Sequence, residues 1–348
     1  MVSVECFKGL PLEYESFLIE KYDSFVTTCR YIEIFHSATD LNHMLVHDND
    51  NLIEVLIFDN KGDTTFFLNS LSFIKQELIE IFKNYLFTNF PQINKIELSS
   101  SYMDYSLEKS ILTIRSDDFI ITLPSTMDGY YLQLGSSTRS NVRKHKNKFL
   151  RDYPQSIFII KIGTEIEESI VDKIIRLNFD RIKSKREVPH ANHNDTINHF
   201  KYSQHYGCVA YIEVDGEIIA GCIAYILNGS MYSYFLSHDN NYSNYNAGQL
   251  CLLYLIEIAI EKGFSDFHLL WGKCDYKTRF LAKPRPMYSY TILNYRGLYY
   301  LILKLKESIS RILYKFKKTK YSIPVRNAIK YIQKKSTKDL SKFKYIFL

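Results

Sequence analysis

The sequence holds little that a covalent or metal-built scaffold would need. Its six cysteines (Cys6, Cys29, Cys208, Cys222, Cys251, Cys274) are scattered and form no Cys-x-x-Cys pair. That leaves no disulfide framework and no zinc pattern, and it points to a reducing compartment in which most of these thiols serve as small hydrophobes. No uninterrupted apolar run approaches bilayer length. The stretch "MVSVECFKGLPLEYESF" has acids where a signal peptide needs a basic region and an apolar run, so a cytoplasmic protein is expected. No internal repeat is visible at the residue level. Acids are also scarce at one end: from Arg296 to Leu348, 15 Lys/Arg face only Glu307 and Asp339. On a chain of net charge +6, that gives this stretch +13 and leaves −7 on the rest. An acidic body with a basic tail needs two separate explanations.

What is present is length and tyrosine. At 348 residues the chain exceeds the usual single-core limit, so two packed domains are expected. Its 28 Tyr and 23 Phe supply large half-polar rings, some for the core and others for a groove facing a polar ligand.

One order of elements reads twice. "NLIEVLIFDNKGDTTFFLNS" is two strands around an Asn-Lys-Gly-Asp turn, "LSFIKQELIEIFKNYLF" has helical apolar spacing, and "NKIELSS" is a short strand. Later, "CVAYIEVDGEIIAGCIAYILNGSMYSYFLS" gives three strands joined by Asp-Gly and Asn-Gly turns. "AGQLCLLYLIEIAIEKG" follows as a helix and "FSDFHLLWG" as a strand. Between the halves, Ser136 or Ser137 can cap a basic helix reaching about Asp152 and ended by Pro154. "TEIEESIVDKIIRLNFDRIKSK" is a further helix, followed by a His-rich loop and a short helix. These patterns give an α/β (α+β) chain of two duplicated halves, with mixed, mostly antiparallel sheets flanked by helices, and a basic helical tail. The divisions are 1–118, 119–295 and 296–348.

Two places carry chemistry. In "YSNYNAGQLCLLYLIEIAI" a polar loop feeds Asn246, Ala247, Gly248 and Gln249 into an apolar helix. The first helical turn has unpaired N–H groups and the positive dipole end, so it either holds a phosphate or is simply a capped helix start. In "HLLWGKCDYKTRF" the chain's single Trp meets a Gly, a Tyr-Lys pair and an Arg where a strand ends.

"YFLSHDNNYSNYNAGQL", "EKGFSDFHLLWG" and "KCDYKTRF" together resemble the acetyltransferase domain of the GNAT superfamily, in its cellulose-biosynthesis-type, polysaccharide-cluster branch. Matching features are a strand ending at Asp239, Gly248 at a helix start, and Gly272 leading to Tyr276-Lys277. "LPSTMDGYYLQLGSSTRSNVRKHKNKFLRDYP" resembles the basic segment that such proteins carry upstream, and the similarity spans roughly 119–292. It implies two tandem GNAT-like domains, the second catalytic and the first a degenerate copy.

The resemblance also implies transfer of an acyl group, most readily acetyl, from acetyl-CoA as co-substrate to an amino-sugar acceptor for surface polysaccharide, without a metal. Backbone amides at Asn246, Ala247, Gly248 and Gln249 would bind the pyrophosphate. Tyr276 is the candidate proton donor to the leaving thiolate, or else a groove-lining ring. Lys277 and Arg279 would meet a phosphate or an acceptor carboxylate, or else are surface charges. Asp239 with His238 would relay a proton, or else Asp239 starts a turn. Trp271 packs under the donor arm or the sugar, or else joins the core.

Tyr234, His268, His190 and His193 are candidate acceptor contacts. Arg139, Arg143 and Lys144 share a basic helix, with Arg139 and Arg143 on one face for a diphosphate. His190, His193, His199 and His205 lack the companions of a metal site and suit hydrogen bonding to a sugar. The tail suits an anionic membrane surface, with nucleic acid or a solubilising helix as its other readings. Rival functions are a Fem-type aminoacyl transferase using aminoacyl-tRNA and a non-catalytic binding module of the same fold.

Overall fold

The computed structural model describes residues 2–36, 40–184 and 195–294 and lays down one series of elements twice. The first series is β1 (Val2–Lys8), α1 (Glu15–Tyr22), α2 (Cys29–Phe35), β2 (Leu41–Asp48), β3 (Asn51–Lys61), β4 (Thr64–Phe67), α3 (Gln76–Asn89), β5 (Lys95–Ser101) and a closing strand, β6 (Ser110–Thr122). Two linking helices follow, α4 (Met127–Gln133) and α5 (Ser136–Asp152). The second series is β7 (Ile157–Ile162), α6 (Glu168–Ser184), α7 (Asp195–Tyr206), β8 (Gly207–Val214), β9 (Glu217–Leu227), β10 (Ser230–His238), α8 (Ala247–Glu261), β11 (Asp266–His268), the short α9 (Asp275–Arg279) and the closing strand β12 (Lys283–Leu293).

All twelve strands form one sheet in the order β1-β2-β3-β4-β5-β12-β6-β11-β10-β9-β8-β7. Each half therefore receives the closing strand of the other: β12 lies beside β5, and β6 runs antiparallel to β11. In both halves the fourth and fifth strands are parallel, with a helix between them, and nearly all other pairings are antiparallel. The expected boundary at 118/119 falls within β6. Residues 296–348, together with His190 and His193, lie outside the described residues.

Local chemistry accounts for the second half. Asp215-Gly216 and Asn228-Gly229 take positive φ at both residues (52° and 81°, 45° and 81°), the two-residue turn whose twist suits a hairpin. Neither Ser136 nor Ser137 caps α5: its N-cap is Gly135, without a side-chain bond. α8 is apolar nearly all round because it is covered nearly all round, with Leu252, Leu255, Ile256 and Ala259 at 0% exposure.

Two cores form on opposite faces of the sheet. One gathers α8, α4 and α5 residues over Ala220, Cys222, Phe267 and Leu269. The other gathers α6, α7 and the α1–α2 region over Tyr225, Tyr232 and Phe235. Many tyrosines are consumed there: Tyr202, Tyr225 and Tyr232 are buried, and the Tyr202 hydroxyl donates to the Phe25 carbonyl (2.9 Å). Among the described residues no helix is long and apolar enough to cross a membrane.

Candidate active site

β10 and β11 pair for three residues, Ser230↔Asp266 to Tyr232↔His268, and then part. β10 continues to His238 against β9, with a register shift around Tyr234. β11 was expected to continue through Trp271, and it stops at His268 for two reasons. Leu270 has φ 54°, and the Lys277 ammonium collects the carbonyls of Leu269, Leu270 and Trp271 (2.8, 3.0 and 2.7 Å). Lys277 is only 3% exposed and also lies 5.1 Å from the Phe119 ring centroid. Burial lowers its pKa to about 8, opposed by nearby Cys274 and Asp118. With three carbonyls around one ammonium, Lys277 holds the strand end open; it does not reach for a phosphate or an acceptor.

The resulting wedge is a cleft of about 610 Å³. One wall is the first turn of α8, with Asn246, Gly248 and Gln249; Ala247 lies beneath the surface at 0% exposure. Asn246 is left-handed (φ 52°) and is followed by a helical residue, an alternation that turns successive amides toward one point. The Asn246 carbonyl takes the amides of Gln249 and Leu250 (2.8 and 3.1 Å), so among the described residues the open amides of this turn belong to Ala247 and Gly248.

Gly248 is glycine because of packing. A Cβ there would stand 3.2 Å from His238 Nδ1 and 3.4 Å from the Ser237 carbonyl, so the missing side chain lets α8 sit down on β10.

Tyr276, from α9, lines the same cleft as Gly248, as do Trp271, Tyr234, His238 and Arg279. The Tyr276 phenol is pushed far above its usual pKa, mainly by burial, so it stays protonated; Arg181 acts in the opposite direction. Trp271 meets the Tyr234 ring edge-on (centroids 6.3 Å apart). The cleft also contains Asn178 and Arg181 of α6, which sequence reading missed. Their helix lies far from the cleft motifs in the chain, and nothing in its alternating charges marks those two positions.

Other candidates stand elsewhere. Asp239 is not in the cleft lining; its carboxylate caps the turn at 240–245 by accepting the Asn241 amide (2.8 Å). His268 is turned away on the opposite side of β11, buried, with Nδ1 2.7 Å from Asp118 and its ring stacked on Tyr232. The Tyr102 hydroxyl donates to the same Asp118 oxygen (2.9 Å). His199 is buried against the Tyr225 hydroxyl (2.6 Å), and burial lowers its pKa to about 3.

Arg139 and Arg143 line a separate groove of about 560 Å³ between α4 and α5, with Lys146 and Asn147. A hollow of about 190 Å³ joins the two regions: it shares Asn246, Gln249 and Arg279 with the cleft, and Val142 with the groove. Among the described residues no group of three or more His, Cys, Asp or Glu side chains is placed to hold a metal.

Residues 136–278 match the family model for an acetyltransferase (GNAT) domain. No curated protein sequence matches the chain. Among solved structures, one titled FemX superposes with a TM-score of 0.62 at 9% identity, over 86% of this chain and 99% of that one. One titled L-PGS, from Bacillus licheniformis, gives 0.55 at 13%, over 86% and 97%. A conserved protein of unknown function from Bacteroides thetaiotaomicron VPI-5482 gives 0.54 at 12%, over 84% and 100%. Identities this low speak to architecture alone, and the architecture is a GNAT-like fold in tandem arrangement.

Proposed function

We propose that the chain is an N-acyltransferase that moves an acyl group, most readily acetyl, from CoA to the amine of an amino sugar used in surface polysaccharide. The observation carrying this reading is that Gly248, whose amide is unpaired in the first turn of α8, and Tyr276 line one cleft, where β10 and β11 part. The donor's pyrophosphate would rest on the first turn of α8 at the Gly248 amide, with Arg279 beside it, and its thioester arm would enter the wedge. The acceptor amine attacks the thioester carbonyl, the carbonyl oxygen takes the charge, and the tetrahedral intermediate collapses with loss of the thiolate. Tyr276, held protonated by burial, supplies that thiolate with a proton and recovers it from solvent. The attacking nitrogen gives up its own proton to His238 or to water; Asp275 is the sole carboxylate in the lining.

One observation favours a second reading. The hollow leads from the cleft to α5, where Arg139, Arg143, Lys144 and Lys146 have no acidic partner among the described residues. That rail would fit a donor with more phosphates than CoA, as in a Fem-type transferase using aminoacyl-tRNA. The basic stretch 296–348 serves either reading, on an anionic membrane surface or on RNA.

The test is binding. A rise in melting temperature with acetyl-CoA, followed by labelled acetyl transfer to nucleotide-linked amino sugars, supports the first reading. Binding of aminoacyl-tRNA without CoA supports the second. CoA affinity without turnover on any acceptor would leave a binding module.

A further inference from the structure

The cleft is lined by residues from both faces of the sheet, and the two sets differ. One set is Gly248, Gln249 and Arg279, on the face that α8 covers. The other is Asn178, Arg181, Tyr234 and Trp271, on the face that α6 covers. If the donor enters along α8, the acceptor must come from the α6 side.

Arg181 is the unusual group of the second set. Its Nε is buried and makes no hydrogen bond. Among the described residues it has no acidic partner, whereas Arg176 on the same helix is paired with Asp172 (2.6 Å). A cation in the last turn of α6 complements the helix dipole, and that accounts for an exposed arginine. It does not account for a buried donor left without an acceptor on a side chain that lines a cleft, an arrangement that is relieved when the guanidinium turns to meet an anion there. The cleft as a whole repeats the imbalance: beside Lys277, whose ammonium is taken up by three carbonyls, Arg181, Lys273 and Arg279 line it with one carboxylate, Asp275. Asn178 is neutral and cannot balance a cation; its amide N–H donates to the Leu236 carbonyl (3.3 Å), and the Arg181 Nε–H does not reach its oxygen.

We propose that Arg181 anchors the acceptor by pairing with a carboxylate or phosphate carried near its nucleophilic amine, so that the substrate class is anionic amines rather than neutral amino sugars. The planar fork of a guanidinium suits a two-oxygen anion better than an ammonium does. Arg181 is near enough for its charge to be felt at the Tyr276 phenol, which places the anion and the reacting end of the donor in one neighbourhood. The inference rests on the acyl-transfer reading only for the word acceptor; the anion site stands or falls separately.

Trp271, the single Trp of the chain, shares the cleft and reports on it. Its fluorescence is titrated with inorganic phosphate and with acetate, at ionic strength held constant with chloride. The full-length protein is compared with Arg181→Gln, Arg181→Lys and the charge-matched control Arg176→Gln. We expect a saturable change in the wild type and in Arg176→Gln. The midpoint should move upward roughly ten- to hundredfold in Arg181→Gln and by less in Arg181→Lys. The stronger of the two anions identifies the group. Identical curves for wild type and Arg181→Gln, or no saturable response to either anion, overturn the anion site. With labelled acetyl-CoA, glucosamine 6-phosphate and glycine should outrun glucosamine and glycinamide, and that preference should vanish in Arg181→Gln. Equal rates for charged and neutral acceptors overturn the inference while leaving acyl transfer standing. Anion binding lost in Arg181→Gln, with no transfer from any donor, overturns the acceptor role and the acyl-transfer reading together and leaves a bare anion site.

Discussion

The ammonium of Lys277 stands 2.7 Å from the carbonyl oxygen of Trp271, the last of three consecutive carbonyls it gathers. Lys277→Met keeps the length of the side chain and leaves those carbonyls without their donor. The expected loss is about 3 kcal/mol of stability, read by chemical denaturation, together with loss of donor binding because the wedge is no longer propped. A variant as stable as the wild type would refute this role.

The same lysine gives a pH prediction with a definite sign. Its folded pKa, about 8, lies below its ordinary value of 10.5, so between those two pH values the unfolded chain binds more protons than the folded one. The burden of burying the charge is therefore fully present below pH 8 and is relieved as pH rises toward 10.5. The stability difference between wild type and Lys277→Met should shift in favour of the wild type across that window. A flat difference, or one of opposite slope, contradicts it.

Tyr276→Phe keeps the ring that meets Phe280 edge-on and removes the proton. The melting temperature should hardly move, while kcat falls on the order of 10²- to 10⁴-fold. Because the phenol's pKa is raised, the wild-type rate should show no loss of this acid near pH 10. Undiminished kcat in the variant would return Tyr276 to the role of a lining ring.

Asp239→Asn should retain activity within about twofold, since an amide oxygen can still cap the Asn241 amide. Asp239→Ala should lower stability by about 1 kcal/mol, read by denaturant titration. A large kcat loss in the Asn variant would restore Asp239 to the chemistry.

Gly248→Ala places a methyl 3.2 Å from His238 Nδ1, so α8 must ease away from β10. Stability should drop by roughly 1–2 kcal/mol, and donor affinity by about tenfold, measured by calorimetry. Unchanged affinity would separate the packing of this glycine from donor binding.

Much of this architecture could be read from short-range chemistry. The Asp215-Gly216 and Asn228-Gly229 turns announce themselves, and the apolar run of α8 between polar ends does too. Gly248, Trp271 and Tyr276 were singled out because each lies at the end of a strand or helix, and ends are where cleft walls are made. What escaped notice depends on long-range placement. β12 sits mid-sheet only because the halves trade closing strands, and nothing in "KPRPMYSYTIL" specifies its neighbours. The early end of β11 is set by Lys277, whose Tyr-Lys pair resembled a ligand contact as closely as a strand clamp. Asp239 as a cap and Asp239 as a base share the same residue type at the same strand end. Arg181 gave no signal at all, because its place in the cleft is fixed by the packing of α6 across the sheet.

Hydrogen exchange of the full-length protein with and without acetyl-CoA tests the central claim most directly. Slowed exchange in the peptides covering 246–250 and 271–279 together is the predicted result, since one ligand would touch both cleft walls. Protection confined to other segments, or none at saturating ligand, would contradict it.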